Sequence, residues 1–208
     1  MSSLLIVGAK GFAKELLVAV RESQPTRQLV FFDDVSPDSP EMLFGLFPIL
    51  RSREAVREHF KSFGANFAVG VGDPVIRESL FRSFEEIGGQ PETIISPTSL
   101  VGDFGNVIGS GTCVLSGAVI ESSNVIGTGV LLHVGSFVSH DVEIGDFCEI
   151  SPRANLLGGV RIGKRCRIGT NATILPGRRL GDNVTVGAGA VVTSDIPSGL
   201  TVKGIPAK

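Results

Sequence analysis

Residues 138–151 read Val-Ser-His-Asp-Val-Glu-Ile-Gly-Asp-Phe-Cys-Glu-Ile-Ser, with an aliphatic residue at every sixth position. The same spacing runs from Ile108 to Val192 and gives fifteen aliphatic residues in succession. Seven of these fifteen are followed directly by glycine, and the residue two positions earlier is usually small or valine. Such hexapeptide periodicity predicts a parallel β-helix, in which three six-residue sides make one coil of 18. Fifteen hexapeptides therefore predict five coils.

The aliphatic residues are expected to point inward and to stack about 4.8 Å apart from coil to coil. Cys148 and Cys166 occupy the same position in neighbouring predicted coils. We therefore predict that they stack as buried thiols, rather than forming a disulfide or a metal site. No long loop interrupts the register between residues 108 and 192. A site on this rod would lie on its flat faces or in grooves between copies of the chain, and flat outward faces favour a homo-oligomer.

Composition excludes several classes of protein. The chain has 208 residues, a net charge of −2 and a pI of about 5.9, which argues against a general nucleic-acid-binding protein. Three cysteines, an odd number, fit a reducing compartment. The N-terminus has no basic region typical of a signal peptide, and no apolar run reaches the length of a membrane span. We expect a cytoplasmic protein without a membrane partner.

Charge is unevenly distributed along the chain. Residues 1–151 contain 10 Lys/Arg and 19 Asp/Glu, whereas residues 152–208 contain 9 Lys/Arg and 2 Asp/Glu. A basic C-terminal quarter suggests a polyanionic ligand. An ordinary solvated face, or a face balanced by an acidic neighbouring subunit, would explain the same charge.

The first ninety residues indicate an α/β domain. Apolar runs at 4–7, 29–32 and 67–72 predict buried strands, and they alternate with predicted helices at 12–21, 52–60 and 73–87. Ser52 and Asp73 are suitable N-caps, and Pro74 suits the first helical position. Strands that alternate with helices predict a small parallel sheet, with ligands at the carboxyl ends of its strands.

Glycines and acids follow each of the three strands. The turn Gly8-Ala9-Lys10-Gly11 could bring backbone N–H groups to a phosphate. A simple tight turn is the alternative, because Lys10 and Ala13 stand where the Gly-x-Gly-x-x-Gly pattern has glycines. Asp33 and Asp34 follow the second strand and could accept bonds from a ribose or a base edge. Gly72 follows the third strand. Together these positions predict a nucleotide pocket.

The whole chain resembles the bacterial sialic acid O-acetyltransferase and nucleotide-amino-sugar N-acetyltransferase family, including the bacillosamine- and perosamine-pathway N-acetyltransferases. The resemblance is almost end to end, and it rests on residues 5–15, 31–34, 138–147, 150–152, 195–199 and 204–208. It implies a Rossmann-like domain over 1–90, a left-handed parallel β-helix over 91–193 and a tail over 194–208. It also implies a homotrimer that binds acetyl-CoA in the groove between neighbouring coils.

Acetyl transfer needs a base, and the chain has only three histidines. His59 lies in a predicted helix between Glu58 and Phe60, where a structural role is expected. His133 follows an inward leucine and is a possible substrate contact. The resemblance makes His140 the general base and Asp141 the group that orients it. Adjacent residues of a straight strand point to opposite faces, so this pairing requires a coil corner.

The resemblance also implies sites for both substrates. Gly158 lies one coil beyond His140, where the absence of a side chain leaves room for a thioester and an N–H for the oxyanion. Donor contacts fall at Thr170 and Ala188, and Glu149 stands where some family members carry a histidine that touches the donor. Acceptor contacts match Lys10, Gly11, Phe12, Asp33, Asp34 and Gly72. Some of the basic residues are expected to meet the phosphates of CoA, namely Arg161, Lys164, Arg165, Arg167, Arg178, Arg179 and Lys203.

These observations predict an N-acetyltransferase that uses acetyl-CoA and acts on a nucleotide-linked 4-amino-6-deoxysugar, without a metal or redox cofactor. An O-acetyltransferase acting on a sugar hydroxyl needs the same residues and is the main alternative. A dinucleotide-binding oxidoreductase or sensor is less compatible with the missing third glycine. A non-catalytic module, either nucleotide-binding or purely structural, would leave the His140–Asp141 pair unexplained.

Overall fold

A computed structural model describes residues 3–36 and 40–208 of the chain. It divides into two compact units, Met1–Thr93 and Ile94–Lys208. The first is an α/β unit and the second contains strands only, which confirms the predicted fold class. Among the described residues, none of the helices has the length and apolar character needed to cross a membrane.

In the described part of the first unit, residues 3–36 and 40–93, a six-stranded sheet packs with three helices. Its strands lie in the order β3-β4-β2-β1-β5-β6, and all neighbours pair in parallel except the hairpin β3–β4. The elements are β1 (Leu4–Val7), α1 (Gly11–Ser23), β2 (Leu29–Phe32), β3 (Met42–Leu43), β4 (Phe47–Leu50), α2 (Arg53–Phe63), β5 (Asn66–Val69), α3 (Pro74–Glu86) and β6 (Gln90–Pro91).

The helices begin where their capping residues predict. The Ser52 hydroxyl accepts a bond of 3.2 Å from the Ala55 N–H at the start of α2. The Asp73 carboxylate accepts bonds of 2.9 Å from the N–H groups of Val75 and Ile76 at the start of α3. These bonds satisfy N–H groups that have no partner within the helix, which is why Ser and Asp are preferred at this position.

The hairpin β3–β4 and the short strand β6 were not predicted from the sequence. Pro48 lies inside β4, opposite Met42, and a proline within an apolar run argues against a strand. Here the proline is tolerated because β4 bonds in parallel to β2 through Ile49 and Leu50, while its pairing with β3 is only two residues long. Among the described residues the sheet therefore has three strands more than predicted, β3 and β4 beside β2 and β6 beside β5.

The second unit is a parallel β-helix of eighteen two-residue strands. The strands form three faces, which we call the first face (β7, β10, β13, β16, β19, β22, β24), the second face (β8, β11, β14, β17, β20, β23) and the third face (β9, β12, β15, β18, β21). Their bounds are β7 (Ile94–Ile95), β8 (Leu100–Val101), β9 (Val107–Ile108), β10 (Cys113–Val114), β11 (Val119–Ile120), β12 (Val125–Ile126), β13 (Leu131–Leu132), β14 (Phe137–Val138), β15 (Glu143–Ile144), β16 (Glu149–Ile150), β17 (Asn155–Leu156), β18 (Arg161–Ile162), β19 (Arg167–Ile168), β20 (Thr173–Ile174), β21 (Arg179–Leu180), β22 (Thr185–Val186), β23 (Val191–Val192) and β24 (Thr201–Val202).

Each of the fifteen periodic aliphatic residues is the second residue of one of these strands. Fourteen of them are buried to 4% exposure or less, and Ile108 is half-buried. They form one continuous core along the rod. Each buried side chain contributes about 1.5–3 kcal/mol relative to exposure, so this core makes the rod the most extensively stabilised part of the chain.

The coil length is constant except near the two ends of the rod. Between β9 and β23, each strand pairs with the strand three hexapeptides further along the chain, for example Val125 with Glu143. The first coil is longer, because Cys113 pairs with Ile94, and the last is shorter, because Thr185 pairs with Thr201. The coils therefore begin before residue 108, where the six-residue spacing is no longer regular.

The inward thiols agree with their prediction. Cys148 and Cys166 are free cysteines, fully buried in adjacent coils. The backbone N–H of Cys166 donates to the Cys148 sulfur at 3.4 Å. They therefore serve as small buried side chains that also accept a backbone hydrogen bond.

His59 provides a test of the first unit by pH. Its ring is buried on α2 beside Phe63, at 5.2 Å between ring centroids, and its Nε2 has no hydrogen-bond partner among the described residues. Burial lowers the pKa of His59 below its ordinary value of 6.5. Since the folded state then binds fewer protons than the unfolded state, acid favours unfolding.

We expect the free energy of unfolding to fall as the pH drops below about 6.5, and this fall to be smaller in His59→Leu. Urea unfolding at pH 7.5 and pH 5.5 measures the effect. Glu92, whose pKa is lowered by its hydrogen bonds with Arg27 and Asn66 despite burial, titrates below this window. An equal pH dependence in wild type and His59→Leu would contradict the assignment.

Candidate active site

The turn after β1 brings backbone N–H groups to the start of α1. Gly8 has φ of 108° and Gly11 has φ of 24°, values that favour glycine. Lys10 is the extended N-cap of α1, and its backbone carbonyl accepts a 2.8 Å bond from the Ala13 N–H. Lys10 and Gly11 are exposed, whereas Phe12 is buried in the core. The geometry suits an anion at the N-terminus of α1, and Phe12 supports the turn from below.

Gly70 explains how the helix can pack closely although Ala13 stands where the dinucleotide-binding pattern has its third glycine. A Cβ atom on Gly70 would lie 2.6 Å from the Ala13 Cβ and 3.1 Å from Ile6 Cγ2, closer than carbon atoms approach. The close approach of helix to strand, which that third glycine provides elsewhere, is achieved here by a glycine that directly follows the neighbouring strand, β5. Ala13 is therefore compatible with the same packing.

Two cavities meet at the carboxyl end of β2. One, of about 280 Å³, is mainly apolar and is lined by Val7, Gly8, Phe32, Asp33, Asp34, Val35, Val71, Ile76 and Leu80. The other, of about 300 Å³, is lined by Asp33, Asp34, Ser36 and Arg51. Of the predicted acceptor residues, Asp33 and Asp34 line both cavities. Lys10, Gly11, Phe12 and Gly72 line neither.

Arginine side chains hold the loops around these cavities. Arg51 donates to the carbonyls of Asp33 at 2.9 Å and Pro40 at 2.8 Å. Arg77, almost fully buried, donates to the Gly72 carbonyl. Arg53 lies over the rings of Phe32 and Phe84, with its guanidinium carbon 5.0 and 4.1 Å from their centroids. The cavity walls are thus fixed by side chains that do not themselves need to touch a ligand.

The second unit places His140 and Asp141 at the corner between the second and third faces. Asp141 has a φ of 60°, a left-handed conformation that turns the chain between β14 and β15. The turn brings both side chains to the same side, with His140 Nδ1 2.8 Å from Asp141 Oδ2. The side chains are 60% and 67% exposed. With Nδ1–H donating to Asp141, Nε2 is left as the basic nitrogen.

The His140 ring lies directly over Gly158 in the next coil. A Cβ atom on Gly158 would be 2.7 Å from both Cε1 and Nε2 of His140. This differs from the expectation that the space over Gly158 is open for a thioester, because the imidazole edge occupies it. No described residue accepts a hydrogen bond from the Gly158 N–H.

Thr170 and Ala188 lie at another corner. Both are in the turn between the first and second faces, one coil apart, and the Thr170 carbonyl accepts a 2.8 Å bond from the Gly189 N–H. His140 and Gly158 lie between the second and third faces. Within one chain, the predicted donor contacts and the predicted base therefore lie at opposite edges of the second face.

Glu149 is engaged by two basic side chains. Its carboxylate oxygens lie 3.5 Å from His133 Nε2 and 3.7 Å from Arg167 Nε. The His133 side chain is buried, and Glu149 is 20% exposed. Glu149 thus links the coil before it to the coil after it on the first face.

Several basic residues of the rod are paired with acids one coil earlier. Arg161 lies 3.2 Å from Glu143 and Lys164 lies 3.1 Å from Asp146, in the same stacked arrangement as Arg167 and Glu149. Arg178 faces Asp195 at 3.6 Å. These exposed pairs account for much of the local basic charge without a ligand, and each stabilises the rod by at most about 1 kcal/mol.

Comparison with protein families supports both units. The PglD N-terminal domain matches residues 3–84, the bacterial transferase hexapeptide (six repeats) matches 141–176, and the hexapeptide repeat of succinyl-transferase matches 159–194. Comparison with curated protein sequences gives no match.

Solved structures match over the whole chain. The acetyltransferase domain of PglB from Neisseria gonorrhoeae FA1090 is 32% identical, with a TM-score of 0.90 over 100% of this chain and 99% of that one. The chain belongs to the nucleotide-amino-sugar N-acetyltransferase family. PerB from Caulobacter crescentus, in complex with CoA and GDP-perosamine, is 28% identical with a TM-score of 0.89, over 100% of this chain and 97% of that one. WeeI from Acinetobacter baumannii AYE is 29% identical with a TM-score of 0.88, over 100% and 99%.

As a member of the nucleotide-amino-sugar N-acetyltransferase family, the chain is an acyltransferase enzyme. The resemblance noted from the sequence is confirmed, and its end-to-end extent agrees with the coverage of these structures. A variant of the Caulobacter perosamine N-acetyltransferase with one histidine replaced by asparagine has been solved with CoA and GDP-perosamine.

Sequence reasoning missed residues that shape the two cavities at the carboxyl end of β2 in this acyltransferase. Arg51 was missed because β4 was not predicted, so nothing indicated that the residue after Leu50 lies at the ligand edge of the sheet. Ile76 and Leu80 project from α3 into the apolar cavity. The helical spacing of this pair was available in the sequence, but it does not distinguish a cavity wall from the core.

The contact between Gly70 and Ala13 can be tested by stability. We expect Gly70→Ala to lower the free energy of unfolding by about 1–3 kcal/mol, since the added methyl group overpacks the helix against the sheet. Ala13→Gly should recover part of this loss in the Gly70→Ala background, while it destabilises the wild type slightly. Chemical unfolding of the wild type, the two single variants and the double variant gives the coupling free energy between positions 13 and 70. Purely additive effects of the two substitutions would contradict the contact.

Proposed function

We propose that the chain transfers acetyl from acetyl-CoA to the amino group of a nucleotide-linked 4-amino-6-deoxysugar, with His140 as the general base. The observation that carries the proposal is the 2.8 Å pairing of His140 Nδ1 with Asp141 on an exposed coil corner. Family membership supports the reaction class. The complexes of PerB with CoA and GDP-perosamine and of PglB with acetyl coenzyme A support the choice of substrates.

Proton transfer follows from the tautomer of His140. Asp141 Oδ2 accepts the Nδ1–H, which leaves the lone pair of Nε2 free to take a proton from the attacking amine. As positive charge develops on the ring, the carboxylate stabilises the imidazolium. Asp141 therefore orients the base and supports its charged form without itself taking the proton.

The acyl step forms one bond and breaks one. The amine nitrogen attacks the thioester carbonyl, the C–N bond forms, and negative charge develops on the carbonyl oxygen. The Gly158 N–H, which is not bonded to any described residue, is a suitable donor to this oxygen. The C–S bond then breaks, and His140 returns the proton to the CoA sulfur. No metal or redox group is required.

The donor is assigned to the corner of Thr170 and Ala188. Lys203 lies at the end of this column, because a Cβ atom on Gly187 would be 3.0 Å from the Lys203 Cβ. Lys203 therefore suits a phosphate of CoA better than Arg161 or Lys164, which face acids. Glu149 is bound by His133 and Arg167, so we assign it the role of fixing the first face beside the donor.

The nucleotide of the acceptor is assigned to the sheet edge of the first unit. Asp33 and Asp34 border a cavity large enough for a base, and their carboxylates can accept its N–H groups. The α1 N-terminus at Lys10 and Gly11 suits the phosphates, while Phe12 supports the turn and Gly72 closes the neighbouring loop.

We propose a homotrimer, as the family resemblance implies, and the separation of the two corners supports a site shared between copies. His140 and the donor contacts lie on opposite sides of the second face of one rod, so one chain does not complete the site. A neighbouring copy would bring its first–second corner to the second–third corner of this chain. The groove between two copies would then hold the donor and the base together.

The reaction is tested by CoA release, measured by thiol titration, with acetyl-CoA and a panel of UDP-, GDP- and dTDP-linked 4-amino-sugars. We expect turnover with one of them and a fall of about a hundredfold or more in kcat/KM for His140→Ala, since the general base is lost. CoA binding should persist in the variant. Glu143→Gln, an exposed acid on the neighbouring third face, is the matched control and should retain wild-type activity.

Other outcomes separate the alternatives. Full activity in His140→Ala would exclude it as the base and turn attention to His133. Turnover of sugar hydroxyls but not amines would replace the proposal with O-acetylation. Binding of NAD(P) without binding of CoA would indicate a dinucleotide-binding protein.

The shared site predicts complementation between chains. We expect the sedimentation mass to be three times the 21.8 kDa of one chain. We also expect His140→Ala and Ala188→Trp, each inactive alone, to regain activity when co-expressed, because some interfaces then combine two intact corners. A monomer with full activity, or co-expressed variants that stay inactive while forming mixed trimers, would contradict the shared site.

A further inference from the structure

Gly158 lies against the His140 ring, and a side chain at position 158 would collide with that ring. A Cβ atom at this position would lie 2.7 Å from His140 Cε1, 2.7 Å from Nε2 and 3.4 Å from Nδ1. The first two distances are shorter than van der Waals contact allows, so a side chain at 158 and the present position of the ring are incompatible. The edge of the imidazole that carries the basic nitrogen rests on this residue.

The backbone alone does not explain a glycine at this position. Gly158 does not have a left-handed φ, whereas its neighbour Gly159 does, at 70°. The same corner position in the other full-length coils carries residues with side chains, which are Phe104, Ser122, His140 and Pro176. Each of these four precedes a residue of positive φ, as Gly158 does. The corner therefore accepts side chains in general.

What distinguishes position 158 is the residue stacked before it. Because each of these coils is three hexapeptides long, His140 is the preceding member of the same column. Asp141 holds the ring at Nδ1, on one side of the imidazole. The backbone of Gly158, which carries no side chain, lies against the opposite edge of the ring, Cε1 and Nε2. A side chain that is 60% exposed has few other contacts to restrict its rotation.

We propose that Gly158 is a positioning residue: its lack of a side chain lets the Cε1–Nε2 edge of the His140 ring rest against the next coil, which holds Nε2 in place to act as the base. This proposal rests on the proposed role of His140 as the base. It is separate from any use of the Gly158 N–H, which an alanine would retain. A methyl group at position 158 displaces the His140 ring from its contact with the next coil. It leaves the ring, the Asp141 carboxylate and the N–H of residue 158 in the protein.

The test is the variant Gly158→Ala, compared with Phe104→Ala, an exposed residue at the same corner position two coils before His140. We expect Gly158→Ala to lower kcat at least tenfold, while KM for acetyl-CoA and for the amino sugar stays within about twofold. Phe104→Ala should match the wild type. Unchanged kcat in Gly158→Ala would overturn the proposal.

A double variant separates positioning from blockage of the donor. If Gly158 acts through His140, Gly158→Ala will cause no further loss in the His140→Ala background. An equal loss in both backgrounds would show that the methyl group obstructs the thioester directly, and would overturn positioning. Should Gly158→Ala fail to fold, the proposal requires that His140→Ala/Gly158→Ala folds, because the clash is then absent. Failure of both to fold would count against it.

A spectroscopic readout does not depend on activity. The chain has three histidines, so the Cε1–H proton resonance of His140 can be assigned by its loss in His140→Ala. We expect Gly158→Ala to shift this resonance while leaving those of His59 and His133 unchanged. An unshifted resonance would overturn the proposal. A shifted resonance in an enzyme whose His140→Ala variant is fully active would uphold the contact and overturn the proposed function instead.

Discussion

The stacking of one aliphatic side chain on the next, every six residues along the chain, is the constraint on which the second unit depends. It fixes the coil at three hexapeptides over most of the rod, and it thereby places each residue directly beside its counterpart in the next coil. Every other contact of the rod follows from this repeat. It puts Cys148 next to Cys166, Glu143 next to Arg161 and His140 next to Gly158. A site built on such a rod is a column of residues from successive coils, rather than a loop.

The same repeat explains which parts of the fold could be predicted. Inward positions are chemically restricted, so a single sequence reveals all fifteen of them. The six-residue pattern did not reveal the strands before residue 108, because their pairing shifts by one residue, as between Ile94 and Cys113. In the first unit, capping residues such as Ser52 and Asp73 gave the helix starts correctly. Strand β4 was missed because Pro48 is tolerated only through pairing partners that are distant in sequence.

The candidate site was predictable in its chemistry and less so in its geometry. A histidine followed by an aspartate could be identified in the sequence, and the need for a corner followed from strand geometry. What lies over Gly158 could not be identified, because it depends on which way the His140 ring turns between Asp141 and the next coil. Likewise, the basic C-terminal quarter suggested an anionic ligand. The acids that pair with Arg161 and Lys164 become neighbours only once the coil length is known.

The exposure of the His140–Asp141 pair bears on how its chemistry depends on assembly. In one chain both side chains are more than half exposed, and an ion pair in water is weak because solvent screens it. In the proposed groove between two copies, the neighbouring rod and the bound thioester would exclude water from the corner, and the attraction between imidazolium and carboxylate would strengthen as the local dielectric falls. In a single chain, the position of the His140 ring is set by Asp141 at one edge and by Gly158 at the other. Under the proposed function, oligomerisation would supply the electrostatic part of catalysis, because assembly would remove solvent from a pair that is exposed in one chain.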